Sequence, residues 1–154
     1  MQKFDEKIIK DINKWSYPVW FIIKNNEVNC PCVDYATGQP DPKCKKCFGT
    51  GKKIKIRQMK TAHQNIDLRI MGEGIASGEK AVMSVYYTLK DAKASEGDYI
   101  LDGDTLDVVQ HYYPMRSDHS APIYYKYETA PKKTNYKLTL NNIREVIKGA
   151  GYKC

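Results

Sequence analysis

Four of the five cysteines in this 154-residue chain lie within eighteen residues. They form two close pairs, Cys30-Pro31-Cys32 and Cys44-Lys45-Lys46-Cys47, separated by eleven residues. Two such pairs supply the four thiolates of a tetrahedral metal site when the loop between them folds back. The spacing therefore predicts a structural Zn²⁺ site with Cys30, Cys32, Cys44 and Cys47 as its ligands.

The residues after the second pair favour a metal over other uses of cysteine. Gly49 and Gly51 allow the backbone to turn and aim N–H groups at sulfur. Disulfide bonds would need an oxidising compartment, which nothing in the sequence indicates. A redox Cys-x-x-Cys opens a helix after a strand, whereas Phe48-Gly49-Thr50-Gly51 breaks one. An iron centre with the same ligands is compatible with the spacing, but four thiolates are most often a structural zinc site.

Basic charge is concentrated beside the cysteines. The net charge is +7, and residues 41–60 account for all of it, with eight basic residues against the single acid Asp41. Lys43, Lys45 and Lys46 can offset the negative charge of four thiolates around a divalent ion. They can also contact the phosphate backbone of a nucleic acid. The predicted nucleic-acid contacts are Lys43, Lys45, Lys46, Lys52, Lys53, Lys55, Arg57 and Lys60.

The apolar pattern on either side of the cysteines predicts a mainly β chain. Residues 4–15 have helical spacing, and residues 17–23 read as a strand that ends at Asn25 and Asn26. Asp102-Gly103-Asp104 is the strongest hairpin signal. Many short strands joined by turns predict a small antiparallel β-barrel or sandwich with a short C-terminal helix. The other predicted strands are 54–57, 66–71, 81–89, 99–101, 106–109, 123–127 and 136–140, and the last helix begins at Asn141 or Asn142.

Length and composition suit one domain with an insertion. We divide the chain into an N-terminal helix and strand (1–29), a zinc-knuckle insertion (30–51) and a β-barrel body with the C-terminal helix (52–154). No apolar run is long enough to cross a bilayer, and residues 1–14 alternate in charge where a signal peptide would be apolar. We therefore expect a soluble protein with no membrane partner.

The sequence contains no group of side chains at a spacing typical of a catalytic site. His63, His111 and His119 show no ligand spacing, and the glycine-rich residues 71–78 lack the Gly-Lys-Ser/Thr ending of a phosphate-binding loop. Four cysteines also fill the coordination shell of zinc. We expect no enzymatic activity and no small-molecule substrate.

Twelve tyrosines include three adjacent pairs, at 86–87, 112–113 and 124–125. Neighbours in a strand point to opposite faces, so each pair predicts one ring in the core and one on an outer face suited to an interface. The preference of tyrosine for strands accounts for the pairs equally well.

Residues 44–51 resemble a single Cys-x-x-Cys-x-Gly-x-Gly knuckle of DnaJ-type co-chaperones, but the other repeats and the J-domain of that family are absent. The whole arrangement resembles the head-closure and neck proteins of tailed bacteriophages: an N-terminal helix, the cysteine insertion, and a β-rich body with the Gly-Asp hairpin at 97–109.

The second resemblance implies a structural virion protein that is assembled in the host cytoplasm. It would form a homo-oligomeric ring between portal or adaptor and tail proteins, close the head, and retain or conduct DNA. In such a ring the basic segment would line the DNA channel. The alternative is a zinc-ribbon protein that binds nucleic acid through residues 43–60.

Overall fold

The computed structural model describes residues 3–67, 82–117, 121–133 and 135–151. The predicted loop at 71–78, His119 and Cys154 lie outside these residues. The elements in chain order are α1 (Lys3–Trp15), β1 (Tyr17–Asn29), β2 (Lys52–Asp67), β3 (Val82–Thr88), β4 (Tyr99–Asp102), β5 (Thr105–Met115), β6 (Tyr124–Pro131) and α2 (Tyr136–Gly149).

The six strands form a closed antiparallel barrel in the order β1-β2-β3-β6-β5-β4. Closure is made by β1 and β4, which pair Phe21 with Ile100. The predicted fold is confirmed as the barrel, with its N-terminal helix, C-terminal helix and four-cysteine loop. Because β1 precedes the cysteine loop and β2 follows it, the barrel wall is built from both sides of the insertion.

Alternation along the strands divides the apolar side chains into two cores. One face of β1 contributes Val19 and Phe21, which pack with Tyr86 and Tyr127 inside the barrel. The opposite face contributes Trp20 and Ile22 to an outer core between the barrel wall and α2. The other buried residues of this outer core are Phe48, Tyr99, Leu101, Leu106, Leu140, Ile143 and Ile147.

The predictions of a strand at 136–140 and of a helix start at Asn141 or Asn142 are wrong. The helix begins at Tyr136, directly after Asn135, whose backbone is left-handed with φ 52°. The alternation of apolar residues from Tyr136 to Leu140 suggested a strand. The spacing of three and four residues, which continues to Ile147, is satisfied only by a helix that covers the outer core.

Two strands are longer than predicted. β1 continues past Asn25 to Asn29 because it stays paired with β2 through an irregularity in register. β2 joins the predicted strand at 54–57 to residues 66 and 67, the described part of the strand predicted at 66–71, since its polar middle residues face solvent or the barrel interior. The tyrosine pair 86–87 behaves as predicted, with Tyr86 buried and Tyr87 half-buried.

Replacing Ile143 with alanine tests whether α2 belongs to the cooperative fold. Ile143 is fully buried in the outer core, so we expect Ile143→Ala to lower the free energy of unfolding by about 2–5 kcal/mol. Urea denaturation followed by circular dichroism measures this change. The exposed neighbour Lys148→Ala should stay within about 0.5 kcal/mol of the parent. Equal values for the two variants would show that α2 is not part of the cooperative unit.

Candidate metal centre

The cysteine loop brings its four thiols into one cluster. The Sγ atoms of Cys30, Cys32, Cys44 and Cys47 all lie within 4.8 Å of one another. Cys30 and Cys44 are 3.8 Å apart at sulfur, and Cys32 and Cys47 are 3.5 Å apart. Four thiolates at about 2.3 Å from a tetrahedral ion stand about 3.8 Å from each other. The cluster therefore has the dimensions of a four-thiolate metal site.

The same distances exclude the disulfide arrangement. A disulfide requires sulfur atoms about 2.05 Å apart, and all four cysteines are free. Each of the two short sulfur–sulfur distances joins a cysteine of the first pair to a cysteine of the second pair. The cluster therefore brings the two ends of the loop together.

Hydrogen bonds donated by backbone N–H groups hold both cysteine pairs in place. The N–H of Cys30 donates to the carbonyl of Gly51 at 2.8 Å, which holds the first pair against the end of the second. The N–H of Phe48 donates to the carbonyl of Cys44 at 2.9 Å. The N–H of Gly51 points at the sulfur of Cys47, with N and Sγ 3.4 Å apart. The predicted role of the glycines is confirmed at this bond.

Gly49 and Gly51 could not be replaced without a backbone change. Both have left-handed backbones, with φ 79° and 74°. A Cβ at Gly49 would lie 3.3 Å from the carbonyl oxygen of Pro42, and one at Gly51 would lie 3.2 Å from Cβ of Pro40. The second pair therefore turns tightly against the proline segment, as only glycine permits.

The environment of the thiols opposes full ionisation. Burial raises the pKa of Cys32 to about 12 and also raises the pKa of Cys47. Burial acts against ionisation of Cys44 too, but backbone N–H groups of Lys46 and Cys47 outweigh it and lower its pKa to about 7. Four adjacent thiolates need a cation to balance their charge. The site suits a divalent metal better than four free thiols.

The metal loop is attached to α2 as well as to the barrel. Phe48, directly after the last cysteine, is buried in the outer core with Ile143 and Ile147. The side-chain amide of Asn142 donates to the carbonyl of Lys43 at 3.5 Å. Lys45 pairs with Glu145 at 2.7 Å, although both side chains are well exposed and the pair adds little.

The eight predicted nucleic-acid contacts do not share one surface. Lys53 and Lys55 project from one face of β2, whereas Lys52 and Lys60 project from the other. The guanidinium of Arg57 donates to the carbonyl of Ala92 at 3.4 Å. Five of the eight are exposed and have no acidic partner within the described part of the chain: Lys43, Lys46, Lys53, Lys55 and Lys60.

A second polar cluster lies inside the barrel, at the end far from the cysteines. The hydroxyl of Tyr86 donates to Asp107 at 3.1 Å and lies 3.4 Å from Asp102, which also accepts from Tyr17 at 2.5 Å. The ring of His63 stacks on Tyr86, with centroids 4.6 Å apart. Burial raises the pKa of Asp107. Each of these residues comes from a different strand, so no sequence motif indicates that they lie together.

No family model matches the chain, and no curated protein is significantly similar to it. Within the described ranges, no helix is both long and apolar enough to cross a membrane. The function is therefore inferred from the contacts of the chain's own residues.

Removing one cysteine should abolish metal binding. We expect one divalent ion per chain by native mass spectrometry, and none for Cys47→Ser, which loses a buried ligand. With free metal a thousandfold above its Kd, binding adds about 4 kcal/mol to the free energy of unfolding. Cys154→Ser is the control and should keep both the ion and the stability. A metal-loaded Cys47→Ser would contradict the four-cysteine site.

Proposed function

We propose that the protein is a structural subunit of a tailed-bacteriophage neck, forming a ring between portal or adaptor and tail proteins. The observation that carries the proposal is the surface of α1. The helix has an apolar stripe, yet Phe4 is 69% exposed and Trp15 is 65% exposed, and only Ile12 of the stripe is buried. An apolar surface of this kind on a small domain marks a protein interaction site.

The closed barrel supports assembly through side chains. Every strand has two neighbours, and the closing pair of β1 and β4 covers Trp20, Phe21 and Ile22 of β1. In the proposed ring, contacts between subunits would use the outer faces, the helices and the cysteine loop. Aromatic residues, which are enriched in protein interfaces, lie on these surfaces at Trp15, Tyr35 and Tyr113.

In this proposal the metal is Zn²⁺, and its role is structural. Four thiolates complete a tetrahedral shell and leave no position for water or substrate. Cys30, Cys32, Cys44 and Cys47 hold a loop whose own apolar content is too small to fold alone. The role of the protein is mechanical: the barrel supplies the wall of the ring and the fixed loop supplies a contact.

Native mass spectrometry across a range of protein concentrations tests the structural role. We expect one zinc per chain together with oligomers, or a ring that forms when a phage portal ring is added, because the α1 surface needs a partner. Electron microscopy of negatively stained samples checks whether the oligomers close. A chain that stays monomeric and binds neither portal rings nor tail proteins would refute the neck assignment.

The alternative function, nucleic-acid binding through residues 43–60, is favoured by one observation. Lys53 and Lys55 are exposed on the same face of β2 without an acidic partner among the described residues. Two neighbouring lysines on a rigid strand can each contact a phosphate. The same face would also serve a subunit whose ring encloses DNA.

Neutralising the face with Lys53 and Lys55 tests whether these two side chains contact phosphates or contribute only net charge. If Lys53 and Lys55 contact phosphates, the double variant Lys53→Gln, Lys55→Gln should reduce the salt slope of duplex DNA binding by about 2. Fluorescence anisotropy between low and moderate salt measures the slope. The matched control is Lys52→Gln, Lys60→Gln, which removes equal charge from the opposite face. Equal effects in both variants would mean that only net charge matters, not a contact face.

A further inference from the structure

One side of β2 is unpaired over more than half of the strand. β3 pairs with β2 only from Ala62 to Asp67, whereas β1 pairs with the other side from Lys52 to Thr61. No described strand lies along the β3 side of residues 52–61. Alternate residues of a strand direct their backbone N–H and C=O groups to the same side. This stretch therefore has an edge with which another extended chain can pair.

The edge is unpaired because the chain turns away from β2 at the end of β3. In the register that β3 keeps with β2, a straight continuation would place Leu89 opposite Lys60. The hydroxyl of Thr88 instead donates to the carbonyl of Lys90 at 2.7 Å, and the following Ala92 is buried in the barrel core. The turn leaves empty the position beside β2 in which a further strand would run.

A cavity of about 420 Å³ lies at this position. It is bounded by residues 57–60 of β2, by the turn at Leu89 and Lys90, and by Asn13 and Ser16 at the end of α1. Its volume falls within the roughly 300–1,000 Å³ range of ligand sites. The unpaired edge therefore borders a cavity with room for part of an extended chain.

Every charged residue that lines this cavity is basic. The three are Arg57, Lys60 and Lys90. Within the described part of the chain none of them forms a salt bridge. Asp91, which follows the turn, pairs with Lys93 at 3.5 Å. The guanidinium of Arg57 is held by its hydrogen bond to the carbonyl of Ala92 at 3.4 Å. The cavity therefore carries positive charge that an anionic partner would balance.

An unpaired strand edge and a basic lining together favour an extended acidic peptide as the occupant. Strand addition takes its affinity from main-chain hydrogen bonds and its specificity from side chains. Arg57 and Lys60 are three residues apart and so lie on opposite faces of β2. An added strand reaches both with carboxylates an odd number of residues apart. A nucleic acid has no peptide groups to continue the sheet, and the same edge of a second copy would bring lysines against lysines.

We propose that the unpaired edge of β2 binds an extended acidic segment of a partner protein by strand addition. The backbone of that segment continues the sheet beside residues 57–60, and its carboxylates pair with Arg57, Lys60 and Lys90. The inference goes beyond the neck role and does not depend on it. The neck role is measured by oligomers and portal binding, so either proposal can fail without the other.

Amide hydrogen exchange followed by NMR tests strand addition directly. The probe is a capped synthetic peptide of four Glu-Val-Thr repeats, whose glutamates match the three-residue spacing of Arg57 and Lys60. At saturating peptide we expect exchange to slow about tenfold or more at alternate amides within residues 53–60, because these N–H groups gain acceptors. Amides of α2 should be unchanged. If millimolar peptide protects no amide of this stretch, the proposal is refuted.

N-methylated peptides separate strand addition from simple charge attraction. Two versions of the probe, each methylated at one set of alternate backbone nitrogens, keep every carboxylate. One of the two loses the N–H groups that face β2, and we expect it to bind at least tenfold more weakly than the other. Equal binding by both versions would show that no sheet is formed and would refute the proposal.

Charge variants test the carboxylate contacts. The double variant Lys60→Gln, Lys90→Gln should weaken binding of a fluorescent probe about fivefold by anisotropy. The matched control Lys137→Gln, Lys148→Gln removes equal charge from exposed positions on α2 and should bind like the parent. Equal losses in both variants would refute the contacts.

Two other occupants of the edge are distinguished by the same amides. If an oligothymidylate of matched charge protects them more strongly than the peptide, the edge binds nucleic acid. If they become protected in the parent alone as its concentration rises, the edge binds a second copy. Either result overturns the acidic-peptide site.

Discussion

The four-thiolate cluster is the constraint on which the outer half of the molecule depends. Residues 30–51 contribute only Cys30, Cys47 and Phe48 to the buried apolar residues, so their own apolar contacts cannot order them. Drawing the four sulfurs together closes the loop, and closure carries Phe48 into the outer core beneath α2. The helix, the loop and the β1–β2 wall are therefore coupled through one cluster, and the affinity for a metal bound there would become part of the folding free energy.

The barrel beneath this site follows from strand alternation. Each strand sends one set of side chains inwards and the other outwards, so a single β1 sequence serves both the interior, through Phe21, and the α2 interface, through Ile22. The interior is not uniform: apolar rings fill its middle, while Asp107 and Tyr86 form a polar end. Placing an aspartate there costs desolvation, which the hydroxyl donors partly offset.

Sequence predicted best what depends on residues close together in the chain. The cysteine spacing located the four-cysteine cluster, and the Asp102-Gly103-Asp104 turn located a hairpin, because both depend on residues close together in the chain. The start of α2 was missed because Tyr136 to Leu140 fits two periodicities, and only contact with the outer core selects the helix. The polar cluster of His63, Tyr86 and Asp107 was missed because strand order, which brings them together, is not a local property.

Closure of the barrel and rigidity of the loop have a joint consequence for assembly. Each strand is paired on both sides for part of its length, so in the proposed assembly the subunits would join largely through side-chain surfaces. Such surfaces bind well only when little conformational freedom is lost on contact. In the proposed assembly a cysteine loop held by a bound metal would satisfy this condition, because its backbone would be ordered before it meets a partner. If the chain assembles as proposed, a metal held by the four cysteines would stabilise the loop and also lower the entropic cost of joining subunits.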